Sequence, residues 1–245
     1  MSYPRLPEGW RIAVLEEVAS TADVLAVRAA AGEPEGLAVL ARRQAAGRGR
    51  AGRQWSSPNG NLYLSALLRP GTPAREAPQW SLLAGVALAE AAQEIAPQAL
   101  LRLKWPNDLL RDGAKCAGVL AETALAEDGT LAWLGLGFGV NLAHAPALPD
   151  RATAHLATAE QPEAFAHRLL ARLVHWQGRQ RAEGFAPVRT AWQAWGPALA
   201  TPLQLRQPQG HLLGTYAGLA EDGALLLNIN NTLRRITTGE VDGTG

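Results

Sequence analysis

Cysteine is almost absent from this 245-residue chain, which contains Cys116 and no other thiol. One thiol excludes an internal disulfide and a metal site built from several cysteines, and it indicates a reducing compartment. No apolar run approaches the roughly 18 residues that a membrane-spanning helix needs, and the first eleven residues lack a signal-peptide layout. We therefore expect a cytoplasmic protein that does not enter the membrane.

Acidic residues are missing from one long stretch. No Asp or Glu occurs between residues 36 and 75, although the formal net charge of the whole chain is only +1. The same stretch contains seven arginines: Arg42, Arg43, Arg48, Arg50, Arg53, Arg69 and Arg75. Such a local excess of positive charge on a glycine-rich segment predicts a site for an anion, whereas the near-neutral total does not favour a nucleic-acid binder.

Lysine is scarce as well, since the 23 basic residues include just Lys104 and Lys115 as lysines. A general compositional bias towards arginine is one explanation. The other is that these two positions need a compact ammonium group, which a planar guanidinium does not replace.

The pattern of apolar residues and turn signals predicts an α+β protein with a mixed, mostly antiparallel sheet backed by helices. Ser20 is a good helix N-cap, residues 77–95 have the periodicity of a long amphipathic helix, and residues 161–195 are also helical in pattern. Asp-Gly pairs at 112–113 and 128–129 predict two hairpins. We expect one domain at residues 1–196 and a small β-barrel at residues 197–245.

A glycine- and arginine-rich loop, residues 47–55, lies between two predicted strands. Glycine lets a backbone approach a ligand closely, and arginine suits carboxylate and phosphate oxygens. The spacing lacks the Gly-Lys-Ser/Thr of a P-loop. A solvated basic turn and an RNA-binding arginine-glycine segment are the alternatives, but the latter are usually long and disordered.

A second polar group of residues follows a predicted strand that ends at Pro106. It consists of Lys104, Asn107 and Asp108, and the turn at Asp112-Gly113 should fold Lys115 back towards them. Two ammonium groups and a carboxylate would then share one cleft.

Together these motifs resemble those of biotin protein ligases. The Gly-Arg-Gly-Arg-x-Gly-Arg-x-Trp loop is present at every fixed position, and three further motifs follow in the family's order. These are Lys-Trp-Pro-Asn-Asp at 104–108, Lys-x-x-Gly-aliphatic-Leu-x-Glu at 115–122, and Gly-x-Gly-aliphatic-Asn at 137–141. The resemblance implies a catalytic domain similar to class II aminoacyl-tRNA synthetases, followed by an SH3-like barrel.

The resemblance also implies roles for individual residues. Catalysis would involve Lys115, Arg48 and Asp108. Contacts to biotin would come from Ser20, Thr21, Gln44, Gly47, Arg48, Gly49, Arg50, Lys115, Gly118 and Gly139. Contacts to ATP or the adenylate would come from Arg50, Arg53, Trp55, Lys104, Asn107 and Asn141. The family usually has Asn after Ser-Thr, where this chain has Ala22 followed by Asp23, so one hydrogen bond to biotin is lost or Asp23 makes it.

The activity implied is ATP-dependent formation of biotinyl-5′-AMP and transfer of biotin to a lysine of a biotin carboxyl carrier protein or domain. Mg²⁺ would enter bound to ATP, and we expect no metal site in the protein itself. We expect a monomer or homodimer with no specific DNA binding, because few residues precede the first catalytic motif. The rival interpretations are a lipoate ligase-like acyltransferase and a nucleic-acid-binding module that uses the basic loop.

Overall fold

The computed structural model describes residues 5–149, 151–207 and 210–242, and within these ranges it contains four α-helices and twelve strands. The helices are α1 (Thr21–Ala30), α2 (Ala77–Ile95), α3 (Pro162–Glu183) and α4 (Ala186–Trp195). The first seven strands are β1 (Arg11–Val18), β2 (Leu37–Gln44), β3 (Leu62–Leu68), β4 (Leu101–Lys104), β5 (Asp108–Arg111), β6 (Ala114–Leu125) and β7 (Leu131–Val140). The last five are β8 (Pro202–Gln207), β9 (Gly210–Leu219), β10 (Leu225–Ile229), β11 (Thr232–Ile236) and β12 (Glu240–Val241).

The first seven strands form one sheet in the order β1-β2-β3-β7-β6-β5-β4. Strands β1 and β2 are parallel and joined through α1, whereas all other neighbours are antiparallel. The β5–β6 turn places Asp112 and Gly113 at positive φ, 51° and 79°, as a tight hairpin requires. The predicted α+β class and both Asp-Gly hairpins are therefore confirmed.

The two faces of the sheet have different covers, and β3 shows how the sequence divides them. Leu62, Leu64 and Ala66 belong to the main core, which also contains most of α2 and the buried sides of α3 and α4. Because successive strand side chains point to opposite faces, Ser65 and Leu67 point the other way. Leu67 clusters with Leu25 and Ala29 of α1, so this short helix covers part of the face that Ser65 shares.

Helix α2 is the centre of the core. Eleven of its 19 residues are buried, many of them alanine, which lets α3 and α4 pack closely against it. The helical pattern over residues 161–195 divides into two helices because Gly184, at φ 75°, ends α3. Ser20 caps α1 as predicted, its hydroxyl accepting a hydrogen bond from the backbone N–H of Ala22.

The last five strands form an antiparallel sheet in the order β11-β10-β9-β8-β12, in agreement with the expected small C-terminal β-domain. Its inner residues Leu205 and Leu225 belong to the same core as α2. The indole N–H of Trp105 donates to the carbonyl of Gly223, 3.3 Å away. The division at residues 196 and 197 stays a prediction. In the described part of the chain, no helix has the length and apolar character needed to cross a membrane.

Candidate functional site

A cavity of about 570 Å³ opens on the sheet face that α1 covers only in part. It lies where the N-terminus of α1, the end of β2, the glycine loop and the start of β6 meet. The lining residues that the sequence motifs predicted are Ser20, Thr21, Gln44, Arg48, Gly49, Arg50, Arg53, Trp55, Asn107, Lys115, Gly118, Gly139 and Asn141. The structure thus brings thirteen predicted residues together around one space.

One end of the cavity is polar but uncharged. The side-chain oxygen of Gln44 accepts from the backbone N–H of Thr21 at 2.8 Å and lies 3.2 Å from the Thr21 hydroxyl. That hydroxyl is 2.8 Å from the hydroxyl of Ser65, which lines the cavity from β3. Neutral donors and acceptors at the N-terminus of a helix suit an uncharged polar group of a ligand.

The glycine loop folds over the cavity as a tight hairpin. The backbone N–H of Trp55 donates to the carbonyl of Gly47 at 2.9 Å, and that of Gly49 donates to the carbonyl of Arg53 at 2.7 Å. At its tip a 3₁₀ turn spans Arg50–Gly52, with Gly52 at φ 72°. The hairpin aims its arginines at the cavity instead of leaving them in a solvated turn.

Arg48 is bound by two acids. Its guanidinium pairs with Asp23 of α1, and it donates to Glu122 of β6 at 2.8 Å. Hydrogen bonding to Asp23 is the main reason that the pKa of Arg48 is raised, and Glu122 adds to it. Asp23, which the sequence suggested as a substitute for the missing Asn at Ala22, is thus engaged with the loop.

The positive charge of Arg50 is less compensated by acidic residues than that of Arg48. Among the described residues it has no carboxylate within ion-pair distance, and its Nη1 lies 3.4 Å from Oδ1 of Asn107. Burial lowers its pKa, although Glu240 and Asp108 oppose this from a distance. An arginine stays charged even so, and Arg50 therefore provides positive charge for an anionic ligand.

Lys115 lies deeper, where β6 begins. Its Nζ is 2.6 Å from Oδ1 of Asp108, whose Oδ2 is 3.4 Å from Nζ of Lys104. Burial lowers the pKa of Lys115, and the charge and hydrogen bond of Asp108 act in the opposite direction. The neighbouring Cys116 is inert by comparison, because burial raises the pKa of its thiol to about 12.

Trp55 forms a wall next to Lys115. The ammonium of Lys115 lies 5.4 Å from the centroid of the Trp55 ring, a cation–π distance. The ring rests on Gly139, where a Cβ atom would come within 2.5 Å of it. The indole Nε1 is buried and has no hydrogen-bond partner in the described part of the chain, so it can donate to a ligand.

Glu240, on the last strand, binds two arginines that line the cavity. It binds Arg53 through both oxygens, at 3.0 and 2.9 Å, and one oxygen also binds Arg151 at 3.1 Å. Burial by itself would raise the pKa of Glu240, but the hydrogen bond and charge of Arg53, with Lys104 and Arg151, lower it to about 2. The carboxylate therefore ties the glycine loop to the C-terminal sheet.

Three predicted residues do not line the cavity. Gly47 is buried at the base of the loop, Asp108 is 3% exposed beneath Lys115, and Lys104 contacts a separate, smaller apolar cavity. Conversely, sequence reasoning missed several lining residues: Ser57, Ser65, Leu120, Phe138, Leu148, Arg151 and Thr153. Alternation along β3 could have found Ser65, whereas no local pattern distinguishes Arg151.

Comparison with known proteins agrees with this geometry. A model of the biotin/lipoate A/B protein ligase family matches residues 15–139, about half of the chain. A Paracoccus denitrificans protein named biotin–[acetyl-CoA-carboxylase] ligase is 40% identical over 199 residues, covering 77% of this chain and 82% of that protein. The chain belongs to the biotin/lipoate A/B protein ligase family.

Two further proteins match almost the whole length of this chain. A Bacillus subtilis protein named bifunctional ligase/repressor BirA is 33% identical over 238 residues, which cover 94% of this chain and 72% of that protein. The biotin protein ligase of Aquifex aeolicus, solved in complex with biotin and ATP, superposes with a TM-score of 0.79 at 28% identity. That match covers 95% of this chain and 97% of the other.

Proposed function

We propose that this chain is a biotin protein ligase. It joins biotin and ATP to form biotinyl-5′-AMP and then transfers biotin to a lysine of a biotin carboxyl carrier domain. The observation that carries this proposal is the division of one cavity into an uncharged polar end at Thr21 and Gln44 and a cationic end at Arg50 and Lys115. Biotin has the matching chemistry, with a ureido ring at one end and a carboxylate at the other.

The ureido ring is assigned to the polar end. Its carbonyl and N–H groups need both donors and acceptors, which the hydroxyls of Ser20 and Thr21 and the amide of Gln44 provide. Ala22 lines the cavity at this point without a polar side chain, and Asp23 is held by Arg48. The ring is therefore held by fewer polar contacts than an Asn at position 22 would give, a difference of about 1 kcal/mol.

The first half-reaction joins two anions. A carboxylate oxygen of biotin attacks the α-phosphorus of ATP, and pyrophosphate leaves with the electron pair of the broken P–O bond. Positive charge must lie where the two groups meet, and Lys115 and Arg50 lie at that end of the cavity. Magnesium bound to ATP would supply further positive charge for the leaving phosphates. Arg53 and Arg151 line the same end and extend the cationic surface towards the leaving group.

The second half-reaction uses the neutral amine of an acceptor lysine. The amine attacks the carbonyl carbon of the adenylate, AMP leaves, and the nitrogen loses a proton as the amide forms. Asp108 is bound to two ammonium groups and almost fully buried, an arrangement that supports a role in positioning Lys115. The mixed anhydride is sensitive to water, so the closed loop and the Arg53–Glu240 contact have a protective purpose.

The acceptor, the absence of specific DNA binding and the monomeric or homodimeric state stay predictions. A gel shift against operator-like and random duplexes at physiological salt tests DNA binding, and analytical ultracentrifugation tests the oligomeric state. If the protein retains the operator-like duplex but not the random one, the prediction of no specific DNA binding is wrong.

The decisive experiment for the function incubates the protein with ATP, magnesium, biotin and a biotin carboxyl carrier domain, followed by an avidin blot. We expect labelling that needs ATP and the acceptor's target lysine. A parallel reaction with lipoate and a lipoyl domain tests the rival acyltransferase. Lipoylation without biotinylation would overturn the proposal.

A further inference from the structure

A continuous chain of hydrogen bonds connects the polar end of the cavity to the glycine loop. It begins at Ser65, passes through Thr21 to the side-chain oxygen of Gln44, and continues from the side-chain nitrogen of Gln44 to the hydroxyl of Ser57 at 3.0 Å. The Ser57 hydroxyl donates to the backbone carbonyl of Trp55 at 3.1 Å. Ser57 is therefore the one side-chain link between Gln44 and the backbone of Trp55 in this chain of contacts.

The direction of these bonds is fixed by the donors available. The carbonyl of Trp55 can only accept, so the single proton of the Ser57 hydroxyl is used there. Ser57 must then accept from Gln44, which orients the Gln44 amide with its oxygen towards Thr21. One N–H of Gln44 remains for a ligand. A ligand group that accepts this N–H and draws Gln44 towards itself would also shift the Ser57 hydroxyl, and with it the carbonyl of Trp55.

The packing around Ser57 leaves little freedom for independent movement. Ser57 is 8% exposed. A Cβ atom at Gly47 would lie 2.5 Å from the carbonyl oxygen of Trp55, 2.7 Å from the Ser57 hydroxyl and 3.0 Å from Nε2 of Gln44. Glycine at position 47 thus allows these three groups to converge. Packing therefore explains why glycine occupies this position, although Gly47 does not line the cavity.

We propose that Ser57 is a positioning residue that couples occupation of the biotin ring site to the placement of Trp55 on the nucleotide side. This inference rests on the proposed function. Biotin bound at Thr21 and Gln44 holds the chain of hydrogen bonds in its present arrangement, which keeps Trp55 beside Lys115. Without the Ser57 hydroxyl, biotin still binds, but bound biotin no longer fixes the position of Trp55 on the nucleotide side.

The test compares the wild type with Ser57→Ala by two measurements: the Kd for biotin without nucleotide, by calorimetry, and the KM for ATP at saturating biotin, by pyrophosphate release. We expect the biotin Kd to change less than about twofold and the KM for ATP to rise about five- to tenfold, the equivalent of one hydrogen bond. Ser81→Ala, the same change on α2 outside the cavity, should alter neither value.

Two further variants separate coupling from a general structural defect. Ser57→Thr keeps the hydroxyl and should restore the KM for ATP to within about twofold of wild type. In a Gln44→Ala background, where the chain is already broken, adding Ser57→Ala should leave the KM for ATP unchanged. Thermal unfolding of each variant identifies any loss of folding, and the Gln44→Ala comparison decides the question if Ser57→Thr unfolds.

The coupling would be overturned if Ser57→Ala changed the Kd for biotin and the KM for ATP by the same factor, or changed neither. It would also be overturned if the effects of Ser57→Ala and Gln44→Ala on the KM for ATP were fully additive. Failure of the proposed function is distinguishable, because the wild type itself would then release no pyrophosphate in response to biotin.

Discussion

The ammonium of Lys115 lies 2.6 Å from the carboxylate of Asp108 on one side and 5.4 Å from the centre of the Trp55 ring on the other. The backbone of Gly118 also lies close to it, since a Cβ atom there would be 3.4 Å from Nζ. This enclosure fits a compact charge and leaves little room for a planar guanidinium.

We expect Lys115→Ala to reduce adenylate formation by a hundredfold or more while the fold stays intact, because one electrostatic contact to a transition state contributes about 3 kcal/mol. Lys115→Arg is the sharper test, and it should lose most of its biotin-dependent pyrophosphate release. Arg179→Lys is the control, since Arg179 pairs with Glu183 on the exposed side of α3. Near wild-type adenylation by Lys115→Arg would show that geometry at this position does not matter.

The pH dependence of adenylation should report the pKa of Lys115. Burial lowers that pKa below the ordinary 10.5, so activity that needs the ammonium is lost on the alkaline side at a lower pH than a free lysine would give. Asp108 raises the pKa, and Asp108→Asn should therefore shift the alkaline limb further down. Stopped-time pyrophosphate assays across the alkaline range measure this. An unchanged limb in Asp108→Asn would contradict the electrostatic role of Asp108.

Gly139→Ala should displace the Trp55 ring, because the new Cβ atom would lie within 2.9 Å of three ring atoms. We expect a rise of about tenfold or more in the KM for ATP and little loss of thermal stability, since the ring can move towards the open cavity. Gly178→Ala is the matched control: nothing lies within 4 Å of its Cβ position in α3, and alanine favours a helix. Equal KM values for the two variants would disprove a nucleotide-side role for Trp55.

Glu240→Gln should free the glycine loop by weakening its contacts with Arg53 and Arg151. We expect faster trypsin cleavage within residues 45–54 and a higher KM for ATP, whereas biotin with ATP should protect the loop in the wild type. Glu183→Gln, which removes an exposed ion pair, should change neither. Identical cleavage rates in all three proteins would rule out this role of Glu240.

The same contact predicts a pH dependence of stability. The pKa of Glu240 is depressed from 4.5 to about 2, so its contribution is fully present above about pH 4.5 and is lost as the pH falls towards 2. The difference in melting temperature between wild type and Glu240→Gln should therefore stay constant from pH 6 to 8 and shrink in acid.

Local sequence signals predicted much of the fold. The N-cap at Ser20, the periodicity of residues 77–95 and the turn residues at 112–113 each act over a few positions, and each structure formed as expected. The glycine loop and the lysine motifs placed eight of the thirteen predicted lining residues at one cavity because each motif lies at a strand end or a tight turn. Such motifs constrain the backbone as well as the chemistry.

Long-range pairs could not be predicted in this way. Nothing in the local sequence indicates that Glu240 pairs with both Arg53 and Arg151. The binding of Arg48 by Asp23 and Glu122 is equally remote in sequence. Ser57 was missed because a serine that follows the loop, next to Ser56, has no distinctive pattern. These contacts depend on tertiary packing, which a local reading of turns and periodicity does not contain.

Glu240 joins Arg53 and Arg151 across sequence separations of 187 and 89 residues. Contacts between such distant positions enclose large loops of chain, and their entropic cost is recovered only when the intervening strands have already paired. During refolding, the sheets and helices should therefore form before Glu240 brings Arg53 and Arg151 together at the cavity. The nascent enzyme would pass through a stage with native circular dichroism and no catalytic competence.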